Sequence, residues 1–143
     1  MENSVGLTIK ELNNLISKRS YILFAEEVQD KISYSGFQVI EYLYNHADCR
    51  VLQRDVEQLI GCTRATASKL LNRLESRGYL KRTVCELDER QREVSLTPLG
   101  EQLYRQSIPA VRHLDDVLVQ ALSEADCEAL QRIAEKIRKV MER

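Results

Sequence analysis

Apolar residues recur at helical spacing along most of the chain, beginning with a long amphipathic segment near the N-terminus. Thr8, with Glu11 three residues later, has the pattern of a capping box, which predicts that a helix begins here and continues to about Val28. Its apolar side chains fall on one broad stripe formed by Ile9, Leu12, Leu15, Ile16, Ile22 and Leu23. Such a stripe allows a helix to pack against other helices.

The middle of the chain has the pattern of two helices joined by a tight corner. A helix is predicted over residues 35–46 and a short extended segment at residues 51–52. Gly61 then stands between the two helices of the pair, where glycine enters positive φ without steric cost. The apolar residues placed to pack this pair are Val56, Ile60, Cys62, Ala67 and Leu70. Thr63 is placed to cap the second helix and Gly78 to end it.

Two segments that alternate polar and apolar residues follow, at residues 79–84 and 92–96, with a polar loop between them. Thr97 and Pro98 then begin a helix predicted to continue to about Ala121, because proline suits the first helical position after a threonine cap. A last helix carries one apolar face formed by Leu130, Ile133, Ile137, Val140 and Met141. The predicted order is ααβααββαα, a mainly α fold with a small antiparallel sheet of three strands (α+β).

Positive charge is concentrated on the second helix of the pair and on the strand after it. The segment 63–82 has six basic residues and one acid, Glu75, and so carries +5 in a chain whose net charge is −1. The basic residues are Arg64, Lys69, Arg73, Arg77, Lys81 and Arg82. Concentrated charge of this kind favours phosphate, and a helix-turn-helix followed by two strands is typical of a DNA-binding protein.

The outward face of the second helix suits insertion into a DNA major groove, because it combines cations, hydroxyls and a small alanine. The residues of this helix predicted to contact DNA are Thr63, Arg64, Thr66, Ser68, Lys69 and Arg73. Those nearest the helix start are predicted to read bases, namely Arg64, Thr66 and Ser68. Phosphate contacts are predicted for Lys69, Arg73 and Arg54. The alternative is that these are only the solvated charges of an amphipathic helix.

The composition describes a folded, helix-rich protein of one domain. Its 143 residues are 43% hydrophobic and 30% charged, and no apolar run approaches the roughly 20 residues needed to cross a bilayer. The N-terminal sequence lacks the pattern of a secretory signal, so a cytoplasmic location without membrane contact is expected. No glycine-rich phosphate loop or other catalytic motif is found, so neither an enzyme nor a cofactor is predicted.

Two motifs resemble the MarR family of winged helix-turn-helix transcriptional regulators. DERQREVSLT, residues 88–97, fits that family's wing pattern D-x-R-x-x-x-V-x-L-T at every stated position. RLESRGYLKR, residues 73–82, is similar to the family's recognition-helix end and first wing strand. The resemblance implies one MarR-type domain over residues 1–143, with a DNA-binding region at 35–97 and dimerisation helices at 1–34 and 98–143.

The resemblance also implies a function and partners. The expected protein is a homodimeric, sequence-specific DNA-binding regulator, a repressor that binds a pseudo-palindromic operator in double-stranded DNA and is released by a small-molecule effector. In the wing, Arg90 is expected to enter the minor groove, with Asp88 orienting it or a neighbouring arginine and Arg92 beside it. The effector residues are left unassigned. Aromatic residues that fit an effector cleft fit the core equally well, and the core is favoured for Tyr21, Phe24, Phe37, Tyr42 and Tyr44.

One position departs from the family pattern, because Glu57 stands where a small residue, often alanine, is usual. A buried carboxylate without a partner is costly, so Glu57 is expected to point outward or to meet a basic residue. The departure affects how the two helices cross and leaves the fold unchanged.

The four cysteines and two histidines suggest alternatives to an effector-released repressor. Cys62 is predicted to be a core residue, while Cys49 and Cys85 are expected to be accessible and Cys127 to lie near a helix start. A thiol- or metal-responsive DNA-binding sensor is therefore one alternative. No histidine has a zinc-site spacing, so no metal is predicted. The alternative of another class is a winged-helix module that binds protein and not DNA.

Overall fold

The computed structural model describes residues 4–142 and contains seven helices and two strands within them. In chain order they are α1 (Val5–Glu27), α2 (Tyr34–Asn45), α3 (Gln53–Ile60), α4 (Arg64–Ser76), β1 (Leu80–Val84), β2 (Arg92–Leu96), α5 (Pro98–Arg105), α6 (Ile108–Ala121) and α7 (Glu124–Met141). The chain forms two compact units, Met1–Ile108 and Pro109–Arg143. The predicted class, mainly α with a small antiparallel sheet, is confirmed.

The first helix begins earlier than the sequence predicts. Ser4 is its cap, because the Ser4 hydroxyl accepts a hydrogen bond from the N–H of Leu7 at 3.3 Å. Thr8 lies inside the helix and donates its own hydroxyl proton to the Ser4 carbonyl at 3.2 Å. The capping box expected at Thr8 and Glu11 is therefore wrong. Ser4 has leucine and not glutamate three residues later, so the capping-box pattern selects Thr8, but a serine hydroxyl alone caps the helix at the earlier position.

The helix-turn-helix of α3 and α4 forms as predicted. Gly61 ends α3 in the left-handed region, at φ 60°. Thr63 caps α4, where its hydroxyl accepts the N–H of Thr66 at 3.2 Å. At the start of α3, the Asp55 carboxylate accepts the N–H of Leu52 at 2.8 Å. At each helix start, one backbone N–H thus has a side-chain partner a few residues away in the sequence.

The core of the first unit lies under α4 and is built from α1, α2, α3, α5 and the strands. Its largest completely buried side chains are Phe24, Phe37, Ile40, Leu71, Leu80, Val39 and Val56. The rings of Phe24 and Phe37 pack with their centroids 4.9 Å apart, which confirms both as core residues. Tyr21, Tyr42 and Tyr44 are partly buried and pack against this core.

The wing is an antiparallel pair in which Arg82 faces Val94 and Val84 faces Arg92. The predicted third strand is reduced to a single bridge, Leu52 to Glu93, beside a hydrogen bond from the N–H of Val94 to the carbonyl of residue 51 at 2.8 Å. The strand does not extend beyond this bridge, because α3 begins at Gln53, directly after Leu52.

The base of the wing lies directly against the start of α5. The Thr97 hydroxyl caps α5 through the N–H of Gly100 at 3.1 Å and donates to the Gly78 carbonyl at 2.5 Å. A Cβ at Gly100 would stand 2.0 Å from the carbonyl oxygen of Tyr79. Glycine is therefore required there by close approach, whereas Gly78 supplies a positive φ of 84°.

The single helix predicted from Thr97 to Ala121 is in fact two helices, α5 and α6, separated at Gln106 and Ser107. Pro109 has no N–H to donate to the carbonyl of residue 105, and its ring would clash with that carbonyl in a continuous helix. The Ser107 hydroxyl instead donates to the Tyr104 carbonyl at 2.7 Å.

The second unit consists of α7 and nearly all of α6. Ser123 and Asp126 form a reciprocal capping box at the start of α7, with distances of 3.1 and 3.0 Å. Both helices are described in full, and neither has a buried residue. Large apolar side chains are exposed on both helices and at Leu122, which lies between them. They are Val117, Leu118, Val119, Leu122, Leu130, Ile133, Val140 and Met141.

Candidate nucleic-acid interface

The recognition helix α4 separates its residues into a buried face and an exposed face. Ala67, Leu70, Leu71 and Leu74 are all at most 5% exposed. Thr63, Arg64, Thr66, Lys69 and Arg73 are exposed, and Ser68 is half-buried. Besides accepting the N–H of Thr66, Thr63 donates its hydroxyl proton to the Thr66 hydroxyl at 3.0 Å. The hydroxyl of Thr63 therefore has a structural role at the helix start.

Internal ion pairs engage two of the six basic residues counted in segment 63–82. Arg77 donates to the Lys31 carbonyl at 2.8 Å and lies 3.8 Å from the Asp30 carboxylate. Arg82 pairs with Glu75 at 3.2 Å and also donates to the Asn72 side chain. The hydrogen bond from Arg82 holds the pKa of the Glu75 carboxyl below its usual range.

The remaining cations of that segment are free for a partner. In the described chain, the ion pairs of 4.0 Å or less do not include Arg64, Lys69, Arg73 or Lys81. The count of basic residues in this segment therefore overestimates the charge that is free to bind DNA, because Arg77 is bonded to the α1–α2 linker and Arg82 to Glu75. The outward face nevertheless keeps an unpaired cation at the start, the middle and the end of α4.

The wing tip is organised around Asp88. Its carboxylate accepts the backbone N–H of Arg90 at 3.0 Å, and the Nε of Arg90 lies 3.8 Å from the same oxygen. The N–H of Gln91 donates to the Asp88 carbonyl at 3.0 Å. These contacts close the turn and leave the Arg90 side chain 93% exposed. Arg92 begins β2 and is exposed as well.

Residues from α3, α4 and the wing meet in one surface groove of about 240 Å³, which we call the arginine groove. It is lined by Gln53, Arg54, Glu57, Arg64, Arg90, Gln91 and Arg92. Four guanidinium groups from three elements face one space, which suits the phosphodiester backbone of a nucleic acid. Lys69, Arg73 and Asp88 lie outside its lining.

Three lining residues were not among the predicted contacts. Gln53 and Gln91 are uncharged, so the distribution of charge did not indicate them, although Gln91 lies between Arg90 and Arg92 of the wing motif. Glu57 was expected to point outward or to meet a basic residue. It is half-buried and lines the arginine groove, so the carboxylate lies on the cationic side of α3.

The cysteines differ in exposure from what the sequence predicts. Cys85 is only 3% exposed, so its expected accessibility is wrong: it directly follows β1 at the loop end of the wing, and its Sγ lies 3.9 Å from the guanidinium of Arg50. Cys49 is exposed, but its hydrogen bond and proximity to Asp48 raise the pKa of the thiol. A raised pKa disfavours the reactive thiolate. Cys62, expected in the core, and Cys127 are both half-buried.

Besides a cavity of about 460 Å³ whose lining includes Asp30, Tyr79 and Gln102, two further cavities of the first unit are large enough for a small molecule. One, of about 340 Å³, lies between the end of α2, β2 and α5 and includes Tyr44, His46 and Arg105 in its lining. The other, of about 250 Å³, lies between α1 and α4 and is lined by Tyr21, Lys31, Ile32, Ser33, Leu70, Arg73, Leu74 and Arg77. Within residues 4–142, no group of three or more His, Cys, Asp or Glu side chains is arranged to hold a metal ion.

The helix-turn-helix, the two-stranded wing and the cationic surface that joins them define a winged helix-turn-helix protein. A family model described as "MarR family" matches residues 32–91, which span the end of the α1–α2 linker to the wing tip. No helix of the described chain is long and apolar enough to cross a membrane.

One curated protein is similar to this chain in sequence, and two solved structures share its fold. The transcriptional repressor MprA of Escherichia coli is 23% identical over 125 residues, which cover 87% of this chain and 69% of MprA. The Staphylococcus aureus protein MepR, solved in a DNA-binding conformation, has a TM-score of 0.71 and 21% identity, covering 97% of this chain and 99% of MepR. NadR, solved with 4-hydroxyphenylacetate, has a TM-score of 0.75 and 18% identity, covering 97% of this chain and 95% of NadR.

Over residues 32–91 the chain is similar to the MarR family of winged helix-turn-helix transcriptional regulators. The predicted resemblance is thereby confirmed. MprA is named a transcriptional repressor, and HosA of Escherichia coli, 32% identical over 75 residues that cover 52% of this chain and 56% of HosA, is named a transcriptional regulator.

Proposed function

We propose that this chain is a homodimeric, sequence-specific DNA-binding repressor that a small-molecule effector releases from its operator. The observation that carries the proposal is the continuity of the arginine groove with the exposed face of α4, through Arg64, which belongs to both. A duplex reader needs cations for the backbone and polar side chains for base edges, and this surface supplies both.

The contacts follow from position along α4. Arg64, Thr66 and Ser68 lie in its first turns and read base edges in the major groove, where N-terminal residues of a recognition helix reach. Lys69 and Arg73, farther along, contact phosphates. Thr63 contributes by capping the helix, and Arg54 meets the backbone from α3.

The wing contributes through its tip. Arg90 is 93% exposed and inserts into the minor groove, where narrow segments attract guanidinium groups. Asp88 fixes the backbone beneath it and stays off the DNA. Arg92 faces the arginine groove and neutralises the adjacent backbone.

The helices outside the winged region form the dimer. α1 exposes Leu12 at 52% and Leu15 at 65%, and α7 exposes Leu130 at 55% and Ile133 at 51%. Large apolar side chains left exposed on long helices mark an interaction surface. A symmetric dimer presents two recognition helices to a pseudo-palindrome with half-sites about one helical turn, ~10 bp, apart.

The effector binds the cavity between α1 and α4. Its floor is apolar, through Leu70 and Leu74, and its rim carries Tyr21, Lys31 and Arg73. An apolar floor with cations at the rim suits a small aromatic acid, and 4-hydroxyphenylacetate in NadR is such a molecule. Because Arg73 also contacts phosphate, a bound acid withdraws that cation from DNA.

A thiol- or metal-responsive sensor has less support, because the accessible thiol of Cys49 has a raised pKa. A module that binds only protein has less support as well, because the cationic face is kept.

Selection of bound duplexes from a random pool at two salt concentrations tests the function. Wild-type protein is expected to recover one palindromic motif with A·T-rich flanks. Arg64→Ala is expected to lose preference at one position of each half-site, while the exposed control Arg132→Ala on α7 keeps the wild-type motif. A folded wild-type protein that recovers no motif at either salt concentration would refute the proposal.

A further inference from the structure

Glu57 lies among the cations that the proposed function assigns to DNA. It is the acidic side chain in the lining of the arginine groove, where Arg54, Arg64 and Arg92 come from its own helix, from α4 and from the wing. A surface whose task was only to attract phosphate would gain from a neutral residue at this place.

The carboxylate is not engaged in a tight ion pair that would explain it as a structural residue. Across residues 4–142, the ion pairs of 4.0 Å or less include neither Glu57 nor Arg54, Arg64 and Arg92. The start of α3 is fixed by Asp55 and does not use Glu57. Glu57 is therefore near several guanidinium groups and locked to none of them.

A carboxylate in this position competes with phosphate. Non-specific binding comes essentially from phosphate neutralisation, so a negative charge inside the cationic groove weakens it directly. The half-buried position of Glu57 strengthens this repulsion, because charges at a protein surface interact more strongly than in bulk water.

Specific binding is affected less by the same charge. When α4 binds its specific DNA site, Arg64 contacts a base edge. The guanidinium groups of Arg54 and Arg92 can then bind both the DNA phosphates and the Glu57 carboxylate. A carboxylate beside them then forms charge-assisted hydrogen bonds that hold their orientation. The repulsive effect of Glu57 is offset in this complex and is not offset on non-specific DNA.

We propose that Glu57 is a specificity-determining residue, which competes with phosphate for the guanidinium groups of the arginine groove and so prevents backbone contact alone from holding the protein on DNA. This inference rests on the proposed function, because it requires a specific site against which non-specific affinity is compared. Glu57 acts through its neighbouring arginines and is a positioning residue rather than a base reader.

The test compares the affinities of the full-length protein for a selected operator duplex and for a scrambled duplex of equal length. The variants are Glu57→Gln, Glu57→Ala and the control Glu26→Gln, which makes the same charge change on the exposed face of α1. For both Glu57 variants, affinity for scrambled DNA is expected to rise about tenfold at low salt, while operator affinity changes by less than about twofold. Glu26→Gln is expected to leave the ratio unchanged.

The outcomes separate this inference from the proposed function. An unchanged ratio in both Glu57 variants overturns the inference and leaves the DNA-binding function intact. Loss of operator affinity with no gain on scrambled DNA also overturns it, because Glu57 would then read a base, as carboxylates read the cytosine amino group. A wild-type protein without any preferred site overturns both. Unfolding midpoints check that the variants are folded, and alanine keeps α3 helical.

Discussion

Arg82 on the first wing strand holds Glu75 on the recognition helix by three hydrogen bonds. Its backbone N–H donates to Glu75 Oε2 at 3.0 Å, and its guanidinium donates to Oε1 at 3.2 Å and to Oε2 at 3.5 Å. This pair fixes the angle between wing and helix, so the positions of Arg90 and Arg64 relative to one another depend on it.

The pair gives the folded state a pH dependence. The pKa of Glu75 is lowered from 4.5 by Arg82, so its stabilisation is fully present above about pH 4.5 and is lost as the pH falls through the lowered value. Glu75→Gln is expected to reduce the free energy of unfolding by less than about 1 kcal/mol at neutral pH, since the pair is partly exposed. Urea unfolding should show that this difference disappears in acid. A difference in unfolding free energy between wild type and Glu75→Gln that persists well below pH 4.5 would contradict this prediction. The control is Glu89→Gln, which makes the same charge change away from Arg82.

Arg90 is expected to supply minor-groove affinity. Removing its guanidinium by Arg90→Ala should weaken specific binding by about 1–3 kcal/mol in a titration of the selected operator. Asp88→Asn keeps an oxygen for the N–H of Arg90 and should cost less than Asp88→Ala, which removes it. Equal losses for the two Asp88 variants would mean that the turn contact does not position Arg90.

Alanine substitutions at Arg64 and Lys69 should change DNA binding in different ways. Arg64→Ala is expected to relax preference at one base pair, because a base-reading contact discriminates between sequences by about 1–3 kcal/mol. Lys69→Ala is expected to weaken all duplexes alike and to reduce the slope of log affinity against log salt by about 1. Titration of operator and scrambled duplexes at several salt concentrations distinguishes them, and a sequence-dependent loss in Lys69→Ala would reverse the assignment.

Two glycines should respond to alanine by different amounts. At Gly61 a methyl group meets no atom within 4 Å, so the cost is the left-handed backbone alone, about 1–2 kcal/mol. At Gly100 the new Cβ would lie 2.0 Å from the Tyr79 carbonyl oxygen, and backbone must move. Gly100→Ala is expected to cost more than Gly61→Ala, above about 2 kcal/mol, by denaturant unfolding. The opposite order would show that α5 adjusts readily.

The dimer should depend on the apolar face of α7. Ile133→Glu places a charge on a side chain that is 51% exposed in the single chain and is proposed to be buried in the dimer. Sedimentation at micromolar concentration is expected to give a dimer for wild type and for the exposed control Gln131→Glu, and a monomer for Ile133→Glu. Monomeric wild-type protein would remove the dimer from the proposed function.

The winged helix-turn-helix was predictable because its signals are local. Gly61, Thr63 and Gly78 each set a turn or a cap with atoms a few residues away, and the apolar spacing of α4 alone identifies its buried face. The alternation of polar and apolar residues then placed both strands to within one residue.

Other features depend on contacts between distant segments and were not predictable. Nothing near Arg77 in the sequence indicates that it pairs with Asp30, and Cys85 lies in a polar loop segment although the fold buries it. The break before α6 had a visible cause in Pro109, but the apolar periodicity continued across it and masked the effect. Glu57 was visible as an unusual residue, while its cationic surroundings required the wing to be placed.

The close approach of Gly100 to Tyr79 determines which part of the wing tolerates redesign. Because the wing base has no space for an added atom, a change of length there would displace α5. The loop between β1 and β2 is closed mainly by Asp88, and residues 86–89 are exposed, whereas Arg90, Gln91 and Arg92 line the arginine groove with α3 and α4. A tip of another length or sequence can therefore be grafted onto this wing, so that its reach along DNA is varied while the recognition helix stays the same.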